Sequence, residues 1–230
     1  MIGIAPPAWD TSRPEPEHEG DILGPHRVAA RARVHSHSED LRRLLAPLPG
    51  LIAAGRYLEA ATRAQIAANH AVLWHAGIFS SALLDSALRD LGAAALPTSR
   101  RRVRPRGEQL RILHVATAVA GIGGHTRMMW RWIGCDRGNI HSLALTRQSD
   151  PVPALLTEAV ASSGGGIRQI NRTPGGILQW ARRLQSEIGD ADLIVLHTHN
   201  MDIIPLLALA GMRERPPVAL LDHADHAFWA

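Results

Sequence analysis

From Leu110 onward the chain alternates short apolar runs with stretches of helical period. Arg111 to Ala116 carries a β-branched apolar run and reads as a strand, followed by a glycine loop. A helix is expected from near His125, with Met128, Met129, Trp132 and Ile133 as its apolar positions. The pattern then predicts a strand over 140–145 and a helix opened by Pro151 and Pro153 that ends at Gly164 to Gly166. A short strand follows at 167–170, and then a helix over 174–188 with Ile177, Leu178, Ala181 and Leu184 on one face. Asp192 to Leu196 is a continuous apolar run of the kind found in buried parallel strands. A helix over about 201–212 and a strand over 218–221, announced by Pro216 and Pro217, complete the series. Repeated strand–helix units of this length imply an α/β fold: a Rossmann-like, doubly wound parallel sheet with right-handed crossovers.

The first half of the chain has a different period. Residues 1–38 hold Pro6, Pro7, Pro14, Pro16 and Pro25 among scattered charges and are expected to be an unstructured tail. Residues 39–46 can form a short helix stopped by Pro47 and Pro49. Leu51, Ala54, Leu58 and Ala61 recur at helical spacing, and the pattern runs on toward Leu73. After a break at Gly77, a second helix is expected over 81–91, with Ser80 as cap, Leu84, Leu88 and Leu91 as its stripe and Gly92 just beyond its end. Residues 39–96 thus read as a helical hairpin extension. Gly55, Tyr57 and Ala60 resemble one tetratricopeptide unit, but a single copy cannot bury its own face. Residues 97–109 carry Arg100, Arg101, Arg102, Arg104 and Arg106 between Pro97 and Gly107 and read as a solvated linker able to attract phosphate or an anionic membrane. The Rossmann-like domain occupies 110–230.

Composition narrows the chemistry. All 25 basic residues are Arg, which excludes a phosphate-binding P-loop Lys and a Schiff-base Lys. The formal charge is only +4, so the all-Arg, Ala-rich usage reflects GC-rich coding more than a nucleic-acid surface, and no nucleic-acid partner is expected. A single cysteine, Cys135, cannot form an intramolecular disulfide. No secretory signal and no run long enough to span a bilayer is visible, so a cytoplasmic protein, soluble or peripheral, is the expectation.

Three polar clusters fall at the carboxyl ends of predicted strands: Gly121, Gly123, Gly124, His125 and Thr126; then His197, Thr198, His199 and Asn200; then Asp222, His223, Asp225 and His226. Parallel strands place these ends on one edge of the sheet, where such folds bind ligands. The glycine loop departs from the dinucleotide fingerprint, because Thr126 replaces the third Gly and Thr146 and Arg147 follow the second strand where an acid is required. The His and Asp residues admit two readings. One is a metal-dependent hydrolase set of His197, His199, Asp222, His223, Asp225 and His226 activating water. The other is recognition of a sugar and a phosphate without metal. His35 and His37 form a further, isolated pair that could ligate a metal; His114, within the first strand, reads as a core histidine; Asp222 or Asp225 could simply cap a turn.

These segments resemble a known family. From Arg111 to Trp229 the chain is similar to the N-terminal domain of GT-B glycosyltransferases, especially the large retaining group labelled family 4. The likeness lies in Arg111-Ile-Leu-His-Val with Gly123-Gly-His-Thr126, in Asp192-Leu-Ile-Val-Leu-His-Thr-His-Asn200, and in Leu220-Leu-Asp-His223. The resemblance implies retaining hexosyl transfer from a nucleotide sugar, with no metal and no cofactor beyond that donor substrate. It implies that Gly123, Gly124 and His125 approach the donor phosphates. His223 would act beside the transferred sugar, and His197, His199, Asn200, Asp222, Asp225 and His226 would shape the acceptor side. The acceptor, saccharide or lipid-linked, is left open, as is contact with the inner-membrane surface; helical extensions of this sort occur in some bacterial members. In that family most of the nucleotide-sugar pocket belongs to a second domain. The sequence stops at Ala230, so a truncated or split enzyme with little activity alone is expected, with a separate C-terminal half as a candidate partner. A non-enzymatic binding module is the remaining alternative.

Overall fold

The computed structural model describes residues 24–100 and 109–221. The expected N-terminal tail as far as residue 23, most of the Arg-rich linker and the cluster from Asp222 onward lie outside the described residues.

The sheet is five-stranded and wholly parallel. In chain order the molecule has α1 (Gly24–Leu45), α2 (Leu48–Ala53), α3 (Tyr57–Leu73), α4 (Ala82–Ala95), β1 (Ser99–Arg100), β2 (Arg111–Ala116), α5 (Gly124–Cys135) and β3 (Ile140–Leu145). There follow α6 (Ala154–Ser162), β4 (Ile167–Gln169), a short 3-10 turn (Ile170–Arg172), α7 (Ile177–Ile188), β5 (Leu193–His197), α8 (Ile204–Ala210), β6 (Met212–Glu214) and β7 (Val218–Leu220). The main sheet runs β4-β3-β2-β5-β7, so the strand order reverses between β2 and β5. This is the doubly wound, Rossmann-like arrangement expected from the alternating pattern.

Strand alternation sorts the two cores. Ala116, Leu143 and Leu145 turn to one face and pack with Met129 and Ile133 of α5 and Leu156 and Val160 of α6. Leu113, Val115, Ala144, Ile194 and Leu196 turn to the other, with Leu184 of α7 and Leu207 of α8. That second core continues without a break into Leu84, Leu88 and Leu91 of α4 and the alanines of α3. The helical extension and the sheet therefore share one core. Two glycines permit the fit: a Cβ at Gly92 would stand 2.6 Å from the Leu207 carbonyl oxygen, and one at Gly211 would stand 2.3 Å from Gln185 Nε2.

Four local readings change. Residues 24–38 are helical, because α1 is a continuous helix that starts at Gly24. Its first turns present no apolar stripe and are largely exposed, so the helix rests there on the Ala and Arg residues' own preference and is anchored further on by buried Leu41 and Leu45. The apolar period across 51–73 hides a break at Gly55, whose φ of 71° closes α2 while Arg56 N donates to Leu51 O. Ser81, not Ser80, caps α4, accepting from Leu84 N, and Gly92 lies inside that helix as a close-packing position. Residues 99–100 pair in parallel with β6, so the start of the linker is strand.

Candidate functional site

The reversal of strand order between β2 and β5 opens a crevice at their carboxyl ends. The loop after β2 forms one wall. Gln148 braces it from beyond β3: its Oε1 accepts from Val119 N at 2.8 Å and its Nε2 donates to Val119 O at 2.9 Å. Thr126 is buried in the first turn of α5, and its hydroxyl accepts from Ala120 N at 3.3 Å. A glycine here, as in the dinucleotide fingerprint, would lose that tie. Beyond these braces the loop is bare. Cβ atoms placed on Gly121 and Gly124 would meet nothing within 4 Å, and Ile122 between them is 97 % exposed. The protein's own packing does not require glycine at these two positions. Their bareness leaves backbone N–H groups and the start of a 12-residue helix open to an anion.

The segment after β5 forms the other wall, and the two walls are joined. His199 N donates to Thr117 Oγ1 at 2.8 Å, and the His199 and His125 rings meet edge to face at 6.5 Å. His125 Nε2 also lies 3.2 Å from Ala118 O. Asn200 lines a cavity of about 670 Å³ with Thr198, Leu88 and Arg89 of α4, Leu206 of α8 and Leu220 of β7. Its Nδ2 is buried without a hydrogen-bond partner. Helix α4 thus supplies one side of this cavity.

His197 does not join that wall. It is almost completely buried, and its Nε2 stands 3.0 Å from His114 Nδ1. The hydrolase set loses that nitrogen, and among the described residues no group of three or more His, Cys, Asp or Glu converges as a metal site would. His35 and His37 diverge likewise: His35 Nε2 meets Glu39 at 3.2 Å, whereas His37 turns to Trp74 and the His75 carbonyl. Asp222, His223, Asp225 and His226 lie outside the described residues.

Two buried polar groups are assembled by the fold from residues far apart in the sequence. Beneath the crevice Asp202 accepts from Thr117 Oγ1 at 2.9 Å, from Ile204 N at 3.2 Å and from Thr146 Oγ1, and Arg147 Nε stands 3.7 Å from it. Arg147 also donates to Gln65 of α3, and Gln65 Nε2 donates to Met201 O at 2.7 Å. The second group is a line of histidines. His114, which its place within the first strand assigns to the core, is fully buried there, with His197 on one side and His141 on the other. Burial first, and then its two histidine neighbours, lower its pKa from 6.5 to about 3, so it is neutral. Asp202 and His141 give no signal in a one-dimensional pattern; they become visible only when strand order and register place them.

No family model matches the chain, and no curated protein and no solved structure shows a significant match to it. No helix among the described residues is long and apolar enough to cross a membrane.

Proposed function

We propose that this chain forms the acceptor-side wall of a retaining GT-B glycosyltransferase, passing a hexosyl group from a nucleotide sugar to a saccharide or lipid-linked acceptor. One observation carries the reading. A bare glycine loop at the start of α5 and a His-Thr-His-Asn segment at the end of β5 meet at the topological switch point, tied by the His199 N to Thr117 contact. The first supplies backbone donors for phosphate oxygens; the second supplies hydrogen-bonding groups for hydroxyls.

In this reading Gly123, Gly124 and His125 face the donor phosphates, where developing leaving-group charge is met by fixed N–H groups. His199, Asn200 and Thr198 contact the acceptor, and the 670 Å³ cavity beside α4 receives its less polar part. Asp222, His223, Asp225 and His226 follow directly on β7 in sequence; His223 would act beside the sugar and the others on the acceptor. No metal or organic cofactor has a role. Such an enzyme works at the cytoplasmic side of the cell, against the inner membrane when its acceptor is lipid-linked.

The test is an amide spectrum of the chain titrated with a panel of nucleoside diphosphate sugars and, separately, with inorganic pyrophosphate. Shifts confined to 121–126 and 198–200 are expected with at least one donor. Absence of any shift in 121–126 with every donor and with pyrophosphate would sink the proposal.

A further inference from the structure

The helical extension ends in an apolar tip. The loop joining α3 to α4 turns at Gly77, with φ at 77°, and Ser81 caps the helix that follows. Leu73, Trp74 and Phe79 are each more than half exposed, and Ile78 and Leu83 more than a third. Exposed apolar residues scattered singly are ordinary, but five large ones along a single connection form a patch. The loop carrying them is held in place. His37 Nδ1 of α1 donates to His75 O at 3.2 Å, His70 Nε2 donates to His37 O at 3.1 Å, and the His37 ring packs on Trp74 at 5.6 Å. A fixed backbone that still shows its apolar side chains to solvent is a surface kept for contact.

Helix α1 sets positive charge beside the tip. Val34 reaches the loop: a Cβ on Gly77 would stand 2.9 Å from Val34 Cγ1. Arg31 and Arg27 lie on the same helical stripe, one and two turns before Val34, and both are exposed, as is Val28 beside them. Neither arginine has an acidic partner among the described residues. The acids that follow along these elements are taken: Glu39 and Asp40 by Arg43 at 3.5 and 2.9 Å, and Asp85 by Arg89 at 2.8 Å. No Asp or Glu lies between Gly24 and Ser38 or between Ala60 and Leu84.

The tip lies on the crevice side of the sheet. Gly92 meets Leu207 and Leu96 meets Gly211, so α4 and α8 run side by side in the same direction. Helix α8 starts beyond the carboxyl end of β5; the start of α4 and the loop before it therefore lie toward that end. Gln65 of α3 agrees with this placement, since it donates to Met201 O at 2.7 Å.

We propose that the α3–α4 loop docks on an anionic lipid surface, with Trp74, Ile78 and Phe79 entering the headgroup boundary and Arg27 and Arg31 meeting lipid phosphates. Aromatic and aliphatic side chains flanked by Arg suit such a boundary. One loop and one helix stripe fall short of the ~20–30 residues a side of a stable protein interface. With the tip docked, the crevice opens beside the membrane, which puts a lipid-linked acceptor within reach. That consequence rests on the glycosyltransferase reading; the docking does not.

The experiment is sedimentation of the full chain with phosphatidylcholine vesicles, with and without phosphatidylglycerol, and with no donor or acceptor present. Binding to the phosphatidylglycerol vesicles is expected, weaker in high salt. Trp74→Ser/Phe79→Ser and Arg27→Gln/Arg31→Gln should each weaken it about tenfold or more. Leu155→Ser, which removes an exposed apolar side chain from α6, should bind as the wild type does. Both arginines are exposed, so their variant separates docking from folding. The proposal is overturned if the chain stays unbound with every vesicle, the result expected if Glu15, Glu17, Glu19 and Asp21 take the two arginines instead. It is overturned as well if phosphatidylglycerol makes no difference, or if either double variant binds as tightly as the wild type. A dimer without vesicle binding, dissociated by Trp74→Ser/Phe79→Ser, assigns the patch to a second copy and also overturns it. None of these outcomes touches the amide shifts expected at 121–126, so the two proposals fail separately.

Discussion

Gly92 of α4 lies so close to Leu207 of α8 that a Cβ on the glycine would stand 2.6 Å from the leucine carbonyl oxygen. The helical extension therefore meets the sheet's own helices at backbone distance. Gly92→Ala should lower the unfolding free energy by about 1–3 kcal/mol, the usual cost of overpacking. Gly134→Ala is the control, since its Cβ meets nothing within 4 Å within α5 and should be neutral to mildly stabilising. Urea unfolding of both variants checks this. Equal stabilities would mean that α4 and α8 can part at little cost.

Asp202 holds the ends of β2 and β3 to the segment after β5, through Thr117 and Thr146. Its carboxylate is fully buried, whereas its ionic partner Arg147 is one-third exposed. Removing the buried member leaves two hydroxyls without their acceptor and a guanidinium without its counter-charge. Asp202→Ala should cost about 3 kcal/mol or more. Arg147→Met should cost clearly less, because solvent screens that side of the pair. Thermal unfolding of the two variants gives the comparison, and the reverse order would refute it.

The sheet and its strand limits were legible because parallel buried strands leave continuous apolar runs; 140–145 coincides with β3. The glycine loop and the segment from His197 were legible as clusters because parallel strands send their carboxyl ends to one edge. What failed had local causes. Helix α1 is polar on all sides over its first turns, so no period announced it. Gly55 interrupts a helix without disturbing the apolar spacing, because its effect is in φ alone. The sequence sets His197 beside His199 and Asn200, but strand alternation sends its ring to the opposite face, toward His114. Gln65 and Arg147 meet from 82 residues apart, a contact that no window in the sequence contains.

His114 makes stability depend on pH in a defined direction. Its folded pKa is lowered to about 3 from an ordinary 6.5, so between these values the unfolded chain binds a proton that the folded ring refuses. Its contribution is intact above pH 6.5 and is lost as pH falls toward 3, by about 1.4 kcal/mol per pH unit once well below the upper value. His114→Gln cannot titrate and should flatten this part of the profile, whatever it does to stability at neutral pH. Urea unfolding at several pH values below 6.5 measures both slopes. Parallel profiles for the two proteins would show that the ring takes its proton in the folded state.

Gly124 separates the two possible uses of the glycine loop. A side chain at this position meets no atom of the protein within 4 Å, so substitution there should leave folding nearly unchanged. If the loop serves only as a turn, Gly124→Asp should be silent in every assay. If it receives donor phosphates, the added carboxylate stands at the start of α5 where the anion would sit. It then takes up the helix-terminal N–H groups and repels the phosphate. Calorimetric or amide-shift titration with inorganic pyrophosphate and with a nucleotide sugar should show affinity falling several-fold. Gly124→Ala should lose less, since it adds bulk without charge. Equal binding by wild type and Gly124→Asp, at matched stability, would remove the glycine loop from the phosphate site and with it the donor half of the proposed function.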